Sequence, residues 1–243
     1  MSSAILQVRS RPSQSEGPDP AAAETTWQFR WITTIHGGLE ALFQHHPDVF
    51  VAAQLRWYPV ENEALVRIAP NIMVVLGRPK GDRGAYRQWL EENIAPQVVF
   101  EVLSRSDRPA EILRKRDFCQ QHGVEEYYVY DPEDGDLLGW RRLENRLAPI
   151  PNMSDCVSPR LGVRFGLVNG ELRLAGPDGR PFATYVELVE QRRQAEQEQV
   201  FTEELRRIAE EQRCNLEEEH RKAQERIERL AAQLRTAGME PKA

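Results

Sequence analysis

Residues 98–104 read VVFEVLS, an apolar run with one carboxylate, Glu101, at its centre. Side chains alternate faces along a strand, so Val99, Glu101 and Leu103 share one face and Val98, Phe100 and Val102 the other. Burying an unpaired carboxylate costs several kcal/mol or forces it to keep its proton. The fold must therefore give Glu101 a cationic partner, leave it at an exposed sheet edge, or use it in a site.

The flanking segments define the fold class. WITTIHGGLEALFQHH carries a helical apolar stripe at Ile32, Ile35, Leu39, Leu42 and Phe43. VFVAAQLRWYPV (49–60) is rich in β-formers, and RIAPNIMVVL turns strand-like after Pro70. GRPKGDRGAYRQWLEEN reads as a surface loop leading to a helical turn. SDRPAEILRKRDFCQQHG has a Ser/Asp start, a proline in the first turn and a terminal Gly123, the start and stop signals of a helix. EYYVYDP is a strand closed by Asp131 and Pro132. LLGWRRLENRLAPI and VRFGLVNGELRLAGPDG read as hairpins with Asn-Gly and Asp-Gly turns. The order is helix, three strands, helix, strand, hairpins and long helix: an α/β or α+β chain with a mixed sheet.

Composition divides the chain of 243 residues. Residues 1–25 are poor in large apolar groups and are expected to form a disordered leader, not a signal peptide. Residues 26–186 hold all five Trp, all six Tyr and all but one Phe, so the core belongs there. Residues 187–237 are expected to form a charged coiled-coil helix, and 238–243 a flexible tail. Between 191 and 235 there are ten basic and eleven acidic residues, whose signs nearly cancel along a helix. Leu216, Ala223 and Leu230 recur every seven residues, as do His220, Ile227 and Leu234, a seam suited to pairing two copies. A single charge-stabilised helix is the alternative. No apolar run reaches membrane-spanning length. Cys119, Cys156 and Cys214 form neither a disulfide framework nor a zinc pattern, which fits a cytoplasmic setting. The net charge of −6 argues against a protein that coats nucleic acid, though not against a local basic groove.

Asn71, Glu101 and Lys115 fall on adjacent strands and the following helix, with Glu111 one turn before Lys115 on the same helical face. Carboxylates from neighbouring strands can bind a hard cation such as Mg²⁺, and a nearby lysine can offset charge on a phosphate. Together, PNIMVV and PQVVFEVLSRSDRPAEILRKRDFCQQHGVEEYYVYDP resemble the Uma-two family of restriction-endonuclease-type proteins, within the PD-(D/E)XK nuclease superfamily. The resemblance spans roughly residues 28–190. It implies a restriction-endonuclease-like mixed sheet flanked by helices, and an endodeoxyribonuclease that hydrolyses phosphodiester bonds with Mg²⁺ or Mn²⁺. By position, Glu101 matches the family's metal-binding glutamate, the Val102 carbonyl is a further ligand, and Lys115 is the catalytic lysine. Glu111 supports the site where relatives have aspartate; Cys119 stands where relatives have tyrosine.

The main departure is at position 71, where the family's "PD" reads Pro70-Asn71. An amide oxygen can touch a metal but carries no charge, so Mg²⁺ binding is expected to weaken by about a few kcal/mol. Glu61 and Glu63 are the acids available nearby. The alternative function is a decayed nuclease scaffold acting as a DNA-binding or coiled-coil interaction module. For DNA, the expected contacts are Arg78, Lys80 and Arg83 in the first basic segment and Arg105 and Arg108 in the second, all flanking the site.

Overall fold

The computed structural model describes residues 26–236. The expected leader (1–25) and tail (238–243) lie outside the described residues. The chain divides into two units, one ending at Thr184 and the other beginning at Tyr185.

The first unit is a mixed α/β structure around one six-stranded sheet. Helix α1 (Thr26–Leu42) precedes β1 (Val49–Ala53), and Gln54, at φ 52°, ends that strand. A two-residue strand β2 (Trp57–Tyr58) and β3 (Ile72–Leu76) follow, then β4 (Tyr86–Arg87) and a 3-10 turn at Gln88–Leu90. Strand β5 (Val98–Val102), helix α2 (Pro109–Gln121) and β6 (Glu126–Asp131) form the crossover that carries the site. The β7 (Asp136–Leu143), β8 (Arg146–Pro149), β9 (Arg164–Val168) and β10 (Glu171–Ala175) strands complete the unit.

The large sheet has the order β1-β3-β5-β6-β7-β8, and β9 pairs with β10 separately. Within the large sheet β5 and β6 alone run parallel, with Glu101 opposite Val129; the other neighbours are antiparallel. A parallel pair needs a crossover connection, and α2 supplies it.

Strand β5 is buried on both faces, and its alternation assigns them. Val98, Phe100 and Val102 enter a core with Ile35 and Leu39 of α1 and Phe165 and Leu174 of the β9–β10 hairpin. Val99 enters the opposite core with Trp57, Tyr86, Tyr127 and the α2 residues Ile112 and Cys119. Glu101 projects to this second side.

Two local expectations change. Helix α2 is preceded by Arg108 in an extended conformation, with no side-chain cap. Asp107 instead accepts the backbone N–H and hydroxyl of Ser104, at 2.7 and 2.9 Å, fixing the turn after β5. Pro109 at the first helical position and Gly123 at φ 95° just beyond the end keep their expected roles. The 77–93 segment is no plain surface loop: Tyr86 is fully buried and donates its hydroxyl to the Ile94 carbonyl at 2.6 Å. Arg83 also lies over the Phe50 ring at 3.9 Å.

Glu126, 1% exposed, is the other buried acid of the sheet. It accepts the Tyr128 hydroxyl at 2.9 Å, the Ser158 hydroxyl, and the Arg160 backbone N–H at 3.0 Å. Ser158→Ala removes one of these donors and is expected to cost about 1–3 kcal/mol, read as a lower urea midpoint with unchanged slope.

The second unit is the helix α3 (Tyr185–Thr236), 52 residues long with no buried side chain. Pairs such as Arg192–Glu196 at 2.8 Å and Lys222–Glu218 at 2.8 Å run along it. No helix among the described residues is long and apolar enough to cross a membrane.

Candidate active site

Glu101 is 3% exposed and its Oε2 accepts the Lys115 ammonium at 3.0 Å. The strand and the crossover helix thus solve the problem posed by a carboxylate in an apolar run: α2 brings Lys115 over the C-terminal end of β5. The other oxygen, Oε1, is buried and has no hydrogen-bond partner. Burial pushes the Glu101 carboxyl above its ordinary pKa against the pull of Lys115. Burial also disfavours the Lys115 ammonium, but Glu101, Asp107 and Glu111 outweigh that and hold its pKa raised.

Asn71 sits just before β3, beside the end of β5. Its Oδ1 accepts the Val102 backbone N–H at 2.8 Å. The β3–β5 ladder stops at Ile72 opposite Phe100, so this side-chain oxygen continues the ladder where backbone pairing has ended. The orientation is fixed by that donor, because an amide turned the other way would set N–H against N–H. That leaves the amine as the side chain's remaining polar group, and Asn71 lines the pocket at this strand end. The Val102 carbonyl accepts the Gln28 amide at 2.8 Å, from α1.

Asn71, Glu101, Asp107, Glu111, Lys115 and Tyr127 line one narrow pocket of about 20 Å³. The structure therefore brings together four residues expected from the sequence: 71, 101, 111 and 115. Asp107, Gln28 and Tyr127 were missed. Asp107 belongs to the turn that fixes α2, whereas Gln28 and Tyr127 reach the site only through packing. Glu61 and Glu63 are exposed and do not line the pocket. Cys119 is fully buried, and burial raises its thiol pKa well above the ordinary value, so it is an inert packing group.

Four of the five expected DNA contacts are engaged with acids. Arg78 and Arg83 hold Glu91 at 3.0 and 2.7 Å and are themselves mostly covered. Lys80 pairs with Glu40 at 3.1 Å, and Arg105, 79% exposed, with Glu133 at 2.8 Å. Arg108 is exposed at the start of α2.

A family model described as "Putative restriction endonuclease", Uma2, matches residues 19–175. The chain belongs to the Uma2 family. The coarse functional class that goes with it is nuclease. A solved structure from Anabaena variabilis, described as a "putative nuclease belonging to DUF820", aligns with a TM-score of 0.43 and 14% identity over 56% of this chain and 73% of that one. No curated protein matches the chain.

Nucleases of restriction-endonuclease type generally use divalent metals, so the donors of this Uma2 chain can be tested against such an ion. Glu101 Oε1 is an acceptor without a partner, which suits a cation. The rest does not. The Asn71 Oδ1 is already taken by the Val102 N–H, and no group of three or more His, Cys, Asp or Glu among the described residues is arranged to hold a metal. The residues present do not fit a Mg²⁺ centre.

Lys115→Met leaves Glu101 buried without its cation, and the expected cost is about 3 kcal/mol near pH 8. Glu101 titrates above the ordinary glutamate value in the folded chain, so the folded state holds more protons than the unfolded state between those two values. Stability attributable to this group therefore falls as pH rises through that window, and loss of Lys115 widens it. Urea unfolding at pH 5 and pH 8 is expected to show a larger deficit for the variant at pH 8.

Proposed function

We propose that the chain is a DNA-directed protein of restriction-endonuclease type whose phosphodiester hydrolysis is latent. The Glu101–Lys115 pair is retained, and the acid expected at position 71 is replaced by an amide. The observation that carries this reading is the hydrogen bond from the Val102 N–H to Asn71 Oδ1, which commits the side chain's one oxygen to the strand end. Lys115 keeps an ammonium where a phosphate would be neutralised. Arg105 and Arg108 are the exposed cations beside it, and Arg105 can exchange its exposed partner for phosphate at little cost. Arg78, Lys80 and Arg83 serve the fold.

The second reading is an active endodeoxyribonuclease that needs Mg²⁺ or Mn²⁺ at Glu101, with Asn71 and the Val102 carbonyl completing the ligands. The unpartnered Glu101 Oε1 favours it. A plasmid-nicking assay with Mn²⁺ separates the two. The natural chain is expected to be silent and Asn71→Asp to nick, with Glu101→Ala abolishing that gain. Nicking by the natural chain, lost in Glu101→Ala, overturns the latent reading.

Helix α3 joins two copies in this reading. Its apolar positions Leu216, Ile227, Leu230 and Leu234 are exposed in the single chain, and its near-neutral charge permits self-pairing. The three cysteines are free, which supports a reducing, cytoplasmic setting. Sedimentation of the full chain is expected to give a dimer that Leu230→Glu with Leu234→Glu converts to monomer; a natural chain that sediments as monomer refutes the pairing.

A further inference from the structure

Two buried polar atoms in the first unit have no hydrogen-bond partner: Glu101 Oε1 and the Tyr127 hydroxyl. Both belong to residues that line the same narrow pocket, and both residues are almost wholly buried. Leaving either group unmatched costs about 1–3 kcal/mol, and native structures rarely accept that. The two are not bonded to each other, and a water in the pocket would give each a partner.

We propose that this pocket holds one structural water, bound by Glu101 Oε1, the Tyr127 hydroxyl and the Asn71 amine, in place of a divalent cation. The proposal deepens the latent reading of the same site and rests on it. A buried water needs at least about 10–15 Å³ and typically makes about three hydrogen bonds; the pocket offers about 20 Å³ and three partners. The polarity of each partner also matches. Glu101 Oε1 accepts only, so the water donates to it. The Asn71 amine donates only, and the Tyr127 hydroxyl is free to donate, so the water accepts from both. Its second hydrogen points to the acids Asp107 and Glu111 that also line the pocket.

A divalent ion meets the opposite arrangement. It would face the Lys115 ammonium, and the acids Glu101, Asp107 and Glu111 that line the pocket are not arranged to hold a metal. Tyr127 is therefore a positioning residue, and the register explains its reach: Tyr127 lies on β6 opposite Val99, on the face that also carries Glu101. An aspartate at 71 would keep the bond to the Val102 N–H with one oxygen and offer the other to the pocket, replacing a donor by an acceptor.

The test is diffraction at the manganese absorption edge from crystals of the full chain grown with MnCl₂, for the natural protein, Asn71→Asp and Tyr127→Phe. The natural protein is expected to show a water peak within hydrogen-bond distance of the three named atoms and no anomalous signal. Asn71→Asp is expected to gain an anomalous peak beside Glu101, with Mn²⁺ affinity in solution raised more than about tenfold by the added charge. Tyr127→Phe is expected to lose the water while keeping the Glu101–Lys115 contact. Should that variant not fold, oxygen-17 relaxation dispersion on the natural chain and Asn71→Asp supplies the count, with one long-lived water fewer in the latter when Mn²⁺ is added. A pocket with neither water nor manganese in the natural protein overturns the water site and leaves the latent reading standing. A manganese peak on Glu101 in the natural protein overturns both.

Discussion

A carboxylate and an ammonium meeting under the end of a buried strand is the contact on which the crossover depends. Glu101 is on the face of β5 that α2 covers, and Lys115 is the α2 side chain that reaches it at 3.0 Å. Were either group absent, the other would be a charge in low dielectric without compensation. The pair therefore ties the helix to one place over the sheet, and the Ser104–Asp107 turn sets where that helix begins. Hydrophobic contacts from Ile112 and Cys119 fill the space but have no direction of their own.

Position 71 has two jobs, which the structure separates. One is mechanical: an oxygen must accept the Val102 N–H, because β3 has already left the ladder. Asparagine and aspartate do this equally well. The other is chemical, a second oxygen carrying negative charge toward the pocket, and only aspartate supplies it. The exchange of one atom keeps the strand end intact while reversing what it presents. Fold and ligand chemistry are thus uncoupled at a single side chain, which is why the fold survives the loss of the donor set.

Much of this was readable in advance, for reasons that differ from residue to residue. The alternation in VVFEVLS assigned the two faces of β5 because period-2 geometry is strict, and the core memberships of Val98, Val99 and Phe100 follow it. Lys115 was placed by the family resemblance, to which its offset from Glu101 along the following helix added support. The meaning of Asn71 was not readable, since it turns on which amide atom faces the Val102 N–H. Tyr127 was hidden because an aromatic in EYYVYDP reads as core, and its ring is core; only the hydroxyl reaches the pocket. The basic residues meet a different physical limit. Charge in a sequence says nothing of the acids that folding brings near, and Arg78 and Arg83 find Glu91. In α3 every side chain is exposed, so the heptad-like seam is visible but its partner is not.

The sign of the charge around the pocket bears on how DNA is engaged. Glu101, Asp107 and Glu111 line it with one cation, Lys115, among them. Without a bound metal the local field opposes a phosphate, and the basic residues Arg78 and Lys80 are neutralised by Glu91, Glu92 and Glu40. Arg108 and Arg105, the latter paired with Glu133, are exposed on either side of Asp107 and make a small patch. A patch of that size binds a polyanion weakly, and in the proposed dimer the second patch would engage at a raised effective concentration once the first is bound. Under the latent reading proposed above, DNA engagement would depend on that doubling.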